Sequence, residues 1–203
     1  MLAPKLIVLT DTTLVPVSEL IARAHDLCAS CSPQSVMLQL RDRELGIRER
    51  LVLGEQLSRL AQDCDQYLCV NDRVDLAMLL DAHALHLGER SVRAHDIRQR
   101  LGDRFWLTSA LHDPTNAGAQ GTDAFILSPI CATRKGAPAL GLGAIHAACA
   151  GTSLPVYALG GVNAGNAADC LNAGATGIAA IGAWLASGSV KPLVEALGIA
   201  RSA

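Results

Sequence analysis

The 203-residue chain carries 17 Lys and Arg against 19 Asp and Glu, half of its residues are hydrophobic, and only 3% are aromatic. A net charge of −2 gives no electrostatic attraction for nucleic acid or an anionic membrane. The longest apolar run is far shorter than the ~18 residues of a spanning helix, and the N-terminus does not have the pattern of a secretory signal. We therefore expect a cytoplasmic protein of one domain, residues 1–203, without a nucleic-acid or membrane partner.

Seven cysteines, an odd number, show no spacing typical of a disulfide framework. Cys28 and Cys31 form a CxxC motif, but it falls late in a predicted helix, whereas redox motifs follow a strand at the start of a helix. No second CxxC completes a zinc site. We interpret these cysteines as structural.

Eight continuous apolar runs predict strands buried on both faces, as in a parallel sheet. These runs are Leu6–Thr10, Val36–Arg41, Tyr67–Asn71, Ala84–Leu87, Phe105–Ser109, Ala124–Ser128, Val156–Leu159 and Gly177–Ile181. The predicted helical segments after them are Val17–Ala29, Ile47–Gln62, Val74–Leu80, Ala94–Leu101, Pro114–Ala119, Leu142–Ala150, Ala164–Ala173 and Val190–Ile199.

Eight alternating strands and helices predict an α/β fold, a single-domain (β/α)8 TIM barrel. A doubly wound open sheet is the alternative. That fold usually has a Gly-rich turn after its first strand, and Leu9-Thr10-Asp11-Thr12-Thr13 contains no glycine. In a barrel the active site lies at the carboxyl ends of the strands, so the residues that follow the strands are the candidates for function.

The second strand ends in Gln39-Leu40-Arg41-Asp42-Arg43. By the two-residue period of a strand, Gln39, Arg41 and Arg43 share a face. Guanidinium groups bind phosphate and diphosphate through charge-assisted bidentate hydrogen bonds. This grouping predicts an anion-binding site, with an ordinary charged loop as the alternative.

Carboxylates follow the third and fourth strands. Asp72 is suited either to capping the next helix or to binding Mg²⁺, and Glu89 is the next carboxylate around the predicted mouth. Because Mg²⁺ favours one or two carboxylates together with phosphate oxygens, the sequence predicts a Mg²⁺ site at Asp72 and Glu89.

Glycines after the last two strands predict a second phosphate site, formed by Gly160, Gly161, Gly182 and Ala183. The polar loop after the sixth strand contains Thr133 and Lys135, and it is interpreted either as a flap over the substrate or as a solvated loop. His86 lies within a strand and is expected to be buried, whereas His112 follows the fifth strand at the mouth.

The ordered set of segments resembles thiamine phosphate synthases and their sister branch, the thiazole tautomerases, from about Leu6 to Leu185. The segments are Gln39-Leu40-Arg41-Asp42, Asn71-Asp72-Arg73-Val74-Asp75-Leu76-Ala77, His86-Leu87-Gly88-Glu89, Ser109, Ser128-Pro129-Ile130, Ala158-Leu159-Gly160-Gly161 and Gly174-Ala175-Thr176-Gly177-Ile178-Ala179. The resemblance implies the Mg²⁺-assisted coupling of hydroxymethylpyrimidine diphosphate to hydroxyethylthiazole phosphate, with release of diphosphate.

The resemblance also implies roles for individual residues. Arg41, Lys135 and Ser109 would be catalytic, with Ser109 beside the pyrimidine and Lys135 beside the departing diphosphate. The pyrimidine diphosphate would be held by Gln39, Arg41, Arg43 and Asn71, and the metal by Asp72. The thiazole phosphate would be held by Thr133, Gly160, Gly161, Gly182 and Ala183.

The chain departs from the synthase pattern at several positions. Arg43 replaces a lysine, Ser91 stands where the synthases carry a second metal-binding aspartate, and Gly182 replaces a serine. The loop at Thr133–Lys135 is about two residues short. The tautomerase branch is excluded, because its catalytic histidine would fall on Pro129.

Two other functions remain open from the sequence. One is a non-catalytic barrel that binds thiamine precursors or phosphates, which the serine at position 91 and the shortened loop favour. The other is a different phosphate-handling barrel enzyme, such as an isomerase. In each case the expected partners are small phosphorylated molecules, and the sequence leaves a homo-oligomeric state open.

Overall fold

The computed structural model describes residues 2–118, 121–133, 136, 138–185 and 190–201. Eight parallel strands follow one another in sequence order around a closed barrel, and the last strand pairs with the first. They are β1 (Leu6–Leu9), β2 (Val36–Leu40), β3 (Tyr67–Asn71), β4 (Ala84–Leu87), β5 (Trp106–Leu111), β6 (Ala124–Leu127), β7 (Val156–Leu159) and β8 (Gly177–Ala180). The predicted (β/α)8 barrel is confirmed.

Helices follow the strands on the outside of the barrel. They are α1 (Val17–Ser30), α2 (Ile47–Asp63), α3 (Val74–Leu79), α4 (Ala94–Leu101), α5 (Leu142–Gly151), α6 (Ala167–Asn172), α7 (Gly182–Leu185) and α8 (Lys191–Ala196). Two segments differ from the prediction. After β5 the described residues form a 3₁₀ turn, Pro114–Asn116, which is capped by the Asp113 side chain. The short helix α7 was not predicted.

The strands bury both faces, as their continuous apolar runs predict. Alternate residues such as Leu6 and Val8 face the helices and belong to the main core, whereas Ile7 and Leu9 face the barrel interior. Every strand contributes alternate residues to the outer core and to the barrel interior.

Aromatic side chains fill the amino-terminal end of the barrel. Trp106 and Tyr157 meet edge to face, with ring centroids 6.2 Å apart. The Tyr157 hydroxyl donates to the Pro4 carbonyl at 2.8 Å, and Tyr67 joins the same interior cluster. This packed floor leaves the carboxyl ends of the strands as the open mouth.

The CxxC cysteines lie in the interior of the protein. Cys28 and Cys31 have free thiols and are fully buried, and burial raises the pKa of Cys31 to about 11. Thiols that stay protonated are poor nucleophiles and metal ligands. Within the described ranges, no helix combines the length and the apolar character needed to cross a membrane.

Candidate active site

Four polar side chains line the barrel interior at the mouth on consecutive strands: Gln39 on β2, Asn71 on β3, His86 on β4 and Thr108 on β5. All four are buried. The Gln39 amide Nε2 donates to Asn71 Oδ1 at 3.2 Å, and His86 Nδ1 lies 2.8 Å from the Thr108 hydroxyl. These four side chains, called the polar row below, are therefore held in place by hydrogen bonds between β2 and β3 and between β4 and β5.

Gln39 retains one unused acceptor. Its Oε1 atom is buried and has no hydrogen-bond partner in the described part of the chain. A buried polar atom without a partner costs free energy, and such atoms in native proteins call for an explanation. A substrate N–H group that enters the mouth would satisfy it.

His86 is buried as predicted, and it faces the interior of the barrel beside Asn71. Burial, together with the positive charges of Arg43 and Arg41, lowers its pKa to about 4. The imidazole is therefore neutral near pH 7, and the cationic charge near this wall of the mouth is carried by arginines.

Arg41 lies just beyond β2, and its guanidinium Nη1 is 3.8 Å from Asp11 Oδ2. Arg43 lies further along the same loop with an exposed side chain. The strand ends at Leu40, so the two-residue period that grouped Arg43 with Gln39 stops before Arg43. The charge of Arg43 nonetheless acts on His86, as that of Arg41 does.

Asp42, between the two arginines, is a functional candidate that the sequence reasoning missed. It is only 4% exposed, and its carboxylate accepts hydrogen bonds from the Thr10 hydroxyl and the Thr12 backbone N–H. No pattern in the sequence identifies it, because β2 ends at Leu40 and the two-residue period of the strand does not extend to Asp42.

Asp72 stands at the mouth after β3, with φ at +67° and its N–H donating to the His86 carbonyl at 2.8 Å. It is not the cap of α3, because Arg73 occupies that position. The Asp72 carboxylate accepts a hydrogen bond from the Ser91 hydroxyl, which itself accepts from the Gly88 N–H at 2.7 Å.

The predicted sharing of a Mg²⁺ ion by Asp72 and Glu89 stays a prediction, since two carboxylates form no hydrogen bond or ion pair with each other. Glu89 Oε1 lies 3.9 Å from His112 Nε2. The other nitrogen of His112, Nδ1, donates to the Ser128 carbonyl at 2.6 Å, so His112 is at the mouth as predicted. Across the described ranges no three His, Cys, Asp or Glu side chains come together as a metal site.

Ser109 requires a correction. It pairs with Leu87 and Phe125, which belong to the outer core, and its hydroxyl donates to Thr122 at 2.9 Å. Because β5 runs from Trp106, Thr108 and Ala110 are the residues that share the interior face. Ser109 therefore points away from the barrel interior, and the structure does not bring it to Gln39 and Asn71.

The glycines after β7 pack against the loop that follows β6. The loop bonds to them through Cys131 N–H, which donates to the Gly160 carbonyl at 2.9 Å. A Cβ on Gly160 would lie 2.8 Å from Pro129, and one on Gly161 would lie 2.6 Å from the Ala132 carbonyl oxygen. These contacts hold the loop up to Ala132 against the glycine turn. Thr133 is the next residue in the chain, and Lys135 lies outside the described residues.

Gly182 and Ala183 begin α7, after β8. The helix is anchored by Trp184, which is fully buried and whose indole N–H donates to the Leu9 carbonyl at 3.0 Å. The residues predicted to form a second phosphate site thus lie on the glycine turn after β7 and on a short helix tied to β1.

The sequence model of the thiamine monophosphate synthase family matches residues 6–184. This chain belongs to that family. The thiamine-phosphate synthase of Chlamydia abortus is 32% identical over 199 residues, which cover 95% of this chain and 92% of that protein. The thiamine-phosphate synthase of Methanoculleus marisnigri is 32% identical over 167 residues, which cover 79% of each chain.

A solved structure supports the fold. The thiamine phosphate pyrophosphorylase of Pyrococcus furiosus superposes with a TM-score of 0.79 over 96% of this chain and 93% of its own, at 24% identity. The resemblance stated from the sequence motifs is confirmed at the level of the family.

Proposed function

We infer that this chain is a thiamine-phosphate synthase, a transferase that couples hydroxymethylpyrimidine diphosphate to hydroxyethylthiazole phosphate. The observation that carries the inference is the family match across residues 6–184, with relatives of that activity 32% identical over most of the chain. The polar row at the mouth supports it, since a buried row with one unused acceptor suits a small heterocycle that carries an N–H donor.

The reaction breaks the bond between the pyrimidine methylene carbon and the diphosphate oxygen, and forms a bond from that carbon to the thiazole nitrogen. The bonding electrons leave with the diphosphate. The Gln39–Asn71 pair orients the pyrimidine edge, and Arg41 and Arg43 neutralise charge on the leaving group. Neutral His86 adds no positive charge next to the developing carbocation.

The donor set near Asp72 fits a magnesium ion. Mg²⁺ takes one or two carboxylates, keeps several waters and uses substrate phosphate oxygens for the rest. Asp72 supplies one carboxylate, and the adjoining Ser91 hydroxyl supplies a second oxygen. When bound, the ion supplies charge neutralisation on the diphosphate. We propose Asp72 with Ser91, rather than with Glu89, as the protein's share of this site.

We propose that the thiazole phosphate lies on the opposite side of the mouth, at Thr133, Gly160, Gly161 and the first residues of α7, with Lys135 beside the diphosphate. Backbone N–H groups that glycines leave accessible are suited to phosphate. The partners are thus small phosphorylated molecules, and the cytoplasmic location stays a prediction.

Turnover is the direct test. Purified protein supplied with Mg²⁺ and both substrates should form thiamine phosphate, detected by conversion to fluorescent thiochrome. Gln39→Ala and Arg41→Ala should each reduce kcat/KM by about 100-fold or more, since both lose a contact to the reacting molecule. No product under conditions in which an active synthase turns over would refute the activity.

A barrel that binds the precursors without reacting them is the second candidate, and Ser91 beside Asp72 favours it. Calorimetry separates the two functions. A binder takes up thiazole phosphate, shows no Mg²⁺-dependent response to pyrimidine diphosphate and makes no product. A panel of sugar phosphates tests the isomerase alternative, for which binding to one of them is required.

A further inference from the structure

We propose that Asp42 is a positioning residue that holds Arg41 in the conformation that binds diphosphate. The inference rests on the proposed function and adds a residue to its site. Asp42 is 4% exposed, and among the described residues no cation pairs with it. Its carboxylate is bound instead by two neutral donors, the Thr10 hydroxyl at Oδ2 and the Thr12 N–H at Oδ1.

A buried carboxylate without a cation is costly, so a chain that keeps one at this place uses it for something beyond stability. The two hydrogen bonds identify that use. They fix both ends of the three-residue segment that leaves β1, with Asp11 in its centre. Asp42 therefore determines the conformation of this segment.

The Thr10 hydroxyl links Asp42 to the backbone of Arg41. Thr10 is fully buried, and its Oγ1 atom, which donates to Asp42, also accepts a hydrogen bond from the Arg41 backbone N–H at 2.9 Å. The Thr10 N–H in turn donates to the Gln39 carbonyl at 3.0 Å. The backbone on which Arg41 stands is thus tied to β1 at the point where β2 ends.

Asp11 restrains the other end of the arginine. Its carboxylate lies 3.8 Å from the Arg41 guanidinium, and the two side chains are 23% and 22% exposed. Asp42 thus controls Arg41 twice, at the backbone through Thr10 and at the guanidinium through the segment that presents Asp11. Such preorganisation reduces the cost of aligning the planar guanidinium with a diphosphate.

The test uses Asp42→Asn with the matched pair Thr10→Val and Thr10→Ser. Valine has the shape of threonine without the hydroxyl, whereas serine keeps the hydroxyl. Two quantities are measured: calorimetric binding of inorganic diphosphate in the presence of Mg²⁺, and KM for each substrate.

We expect Asp42→Asn and Thr10→Val to weaken diphosphate binding and to raise the KM for pyrimidine diphosphate by about 10-fold or more, because a misplaced binding group loses its contact. The KM for thiazole phosphate should stay within about twofold, and Thr10→Ser should resemble the wild type in each measurement.

Unchanged diphosphate affinity in Asp42→Asn, or an equal rise of KM for both substrates, would overturn the proposal, since a general structural defect affects both sites. If Asp42→Asn does not fold, the comparison of Thr10→Val with Thr10→Ser decides the question alone. A wild type that binds diphosphate but forms no thiamine phosphate refutes the activity and leaves the binding comparison valid. A wild type that does not bind diphosphate overturns both proposals.

Discussion

At the scale of single residues, Ser91 is the position at which the proposed metal site can be tested. Its hydroxyl donates to Asp72 and accepts from the Gly88 N–H. A carboxylate at this position would still accept from the Gly88 N–H, but it would repel the Asp72 carboxylate. Without a metal the two carboxylates would repel each other, whereas a cation between them would be bound by both.

We predict that Ser91→Asp binds Mg²⁺ in the absence of substrate about 10-fold more tightly than the wild type, because the site gains a charged ligand. Calorimetry with Mg²⁺ alone, or Mn²⁺ followed by electron paramagnetic resonance, measures this without turnover. Ser91→Ala is the control and should not gain affinity. Equal metal affinity in Ser91→Asp and the wild type would show that position 91 does not face the ion.

The residues of the mouth differ in how well the sequence could identify them. Gln39, Asn71 and His86 are the last or next-to-last residues of buried strands whose limits the apolar runs mark clearly. Ser109 was assigned by the resemblance alone, and the structure pairs it with Leu87 and Phe125 on the outer face of the barrel. Successive residues of a strand point to opposite faces of the sheet. Without the register of the strand, the sequence does not show which face a serine occupies.

At the scale of elements, the loop after β6 depends on its packing against the glycine turn after β7. Gly161 has φ +67°, and Gly141, which precedes α5, has φ +75°. The two glycines share a left-handed backbone but differ in their surroundings. A Cβ on Gly161 would meet the Ala132 carbonyl and Cys131, whereas no atom lies within 4 Å of one on Gly141.

This pair allows steric contact to be separated from backbone strain. Both alanine variants should lose roughly 1 kcal/mol to the unfavourable φ. Gly161→Ala should in addition displace the loop and raise the KM for thiazole phosphate by about 10-fold, with less effect on pyrimidine diphosphate. Denaturant unfolding and steady-state kinetics measure the two effects. A similar KM in Gly161→Ala and Gly141→Ala would contradict the role given to the loop.

The elements that the sequence predicted best are those with long periodic or continuous apolar patterns. The strands and α2 fall within one or two residues of their predicted limits. The helix α7 was missed because four residues are fewer than two helical turns, which is too short for a period to be seen. The contacts of Asp42 were unpredictable for a different reason, since they depend on how the Thr10–Thr12 segment folds back on β2.

At the scale of the whole molecule, the barrel interior is polar on one side of the mouth and apolar on the other. The polar row occupies β2 to β5, whereas Ile126, Leu159 and Leu9 line the interior on β6, β7 and β1, and Ile181 does so just after β8. The alternation of strands and helices was enough to predict the barrel and the location of its mouth. To predict which side of the mouth is polar, the register of every strand would also have been needed.

The buried histidine of the polar row makes the stability of the barrel depend on pH. The pKa of His86 is about 4 in the folded protein, because of burial and the charges of Arg43 and Arg41, against an ordinary value of 6.5. Of the other groups that face it, Asp72 raises the pKa of His86 and His112 lowers it. The unfolded chain therefore binds the proton first, and the stability contributed by neutral His86 is complete above pH 6.5 and is lost as the pH falls toward 4.

We predict that the free energy of unfolding of the wild type falls by on the order of 3 kcal/mol between pH 7 and pH 4, and that His86→Gln loses most of this dependence. Urea unfolding at a series of pH values measures it. Burial also lowers the pKa of His83, so this residue titrates in the same pH range. His83→Gln is therefore the matched control, and its free energy of unfolding should still fall by most of the wild-type amount. Asp75 and Asp113 have lowered pKa values and act only below about pH 4, outside the window. Parallel pH profiles in the wild type and His86→Gln would mean that protonation of the polar row does not oppose folding.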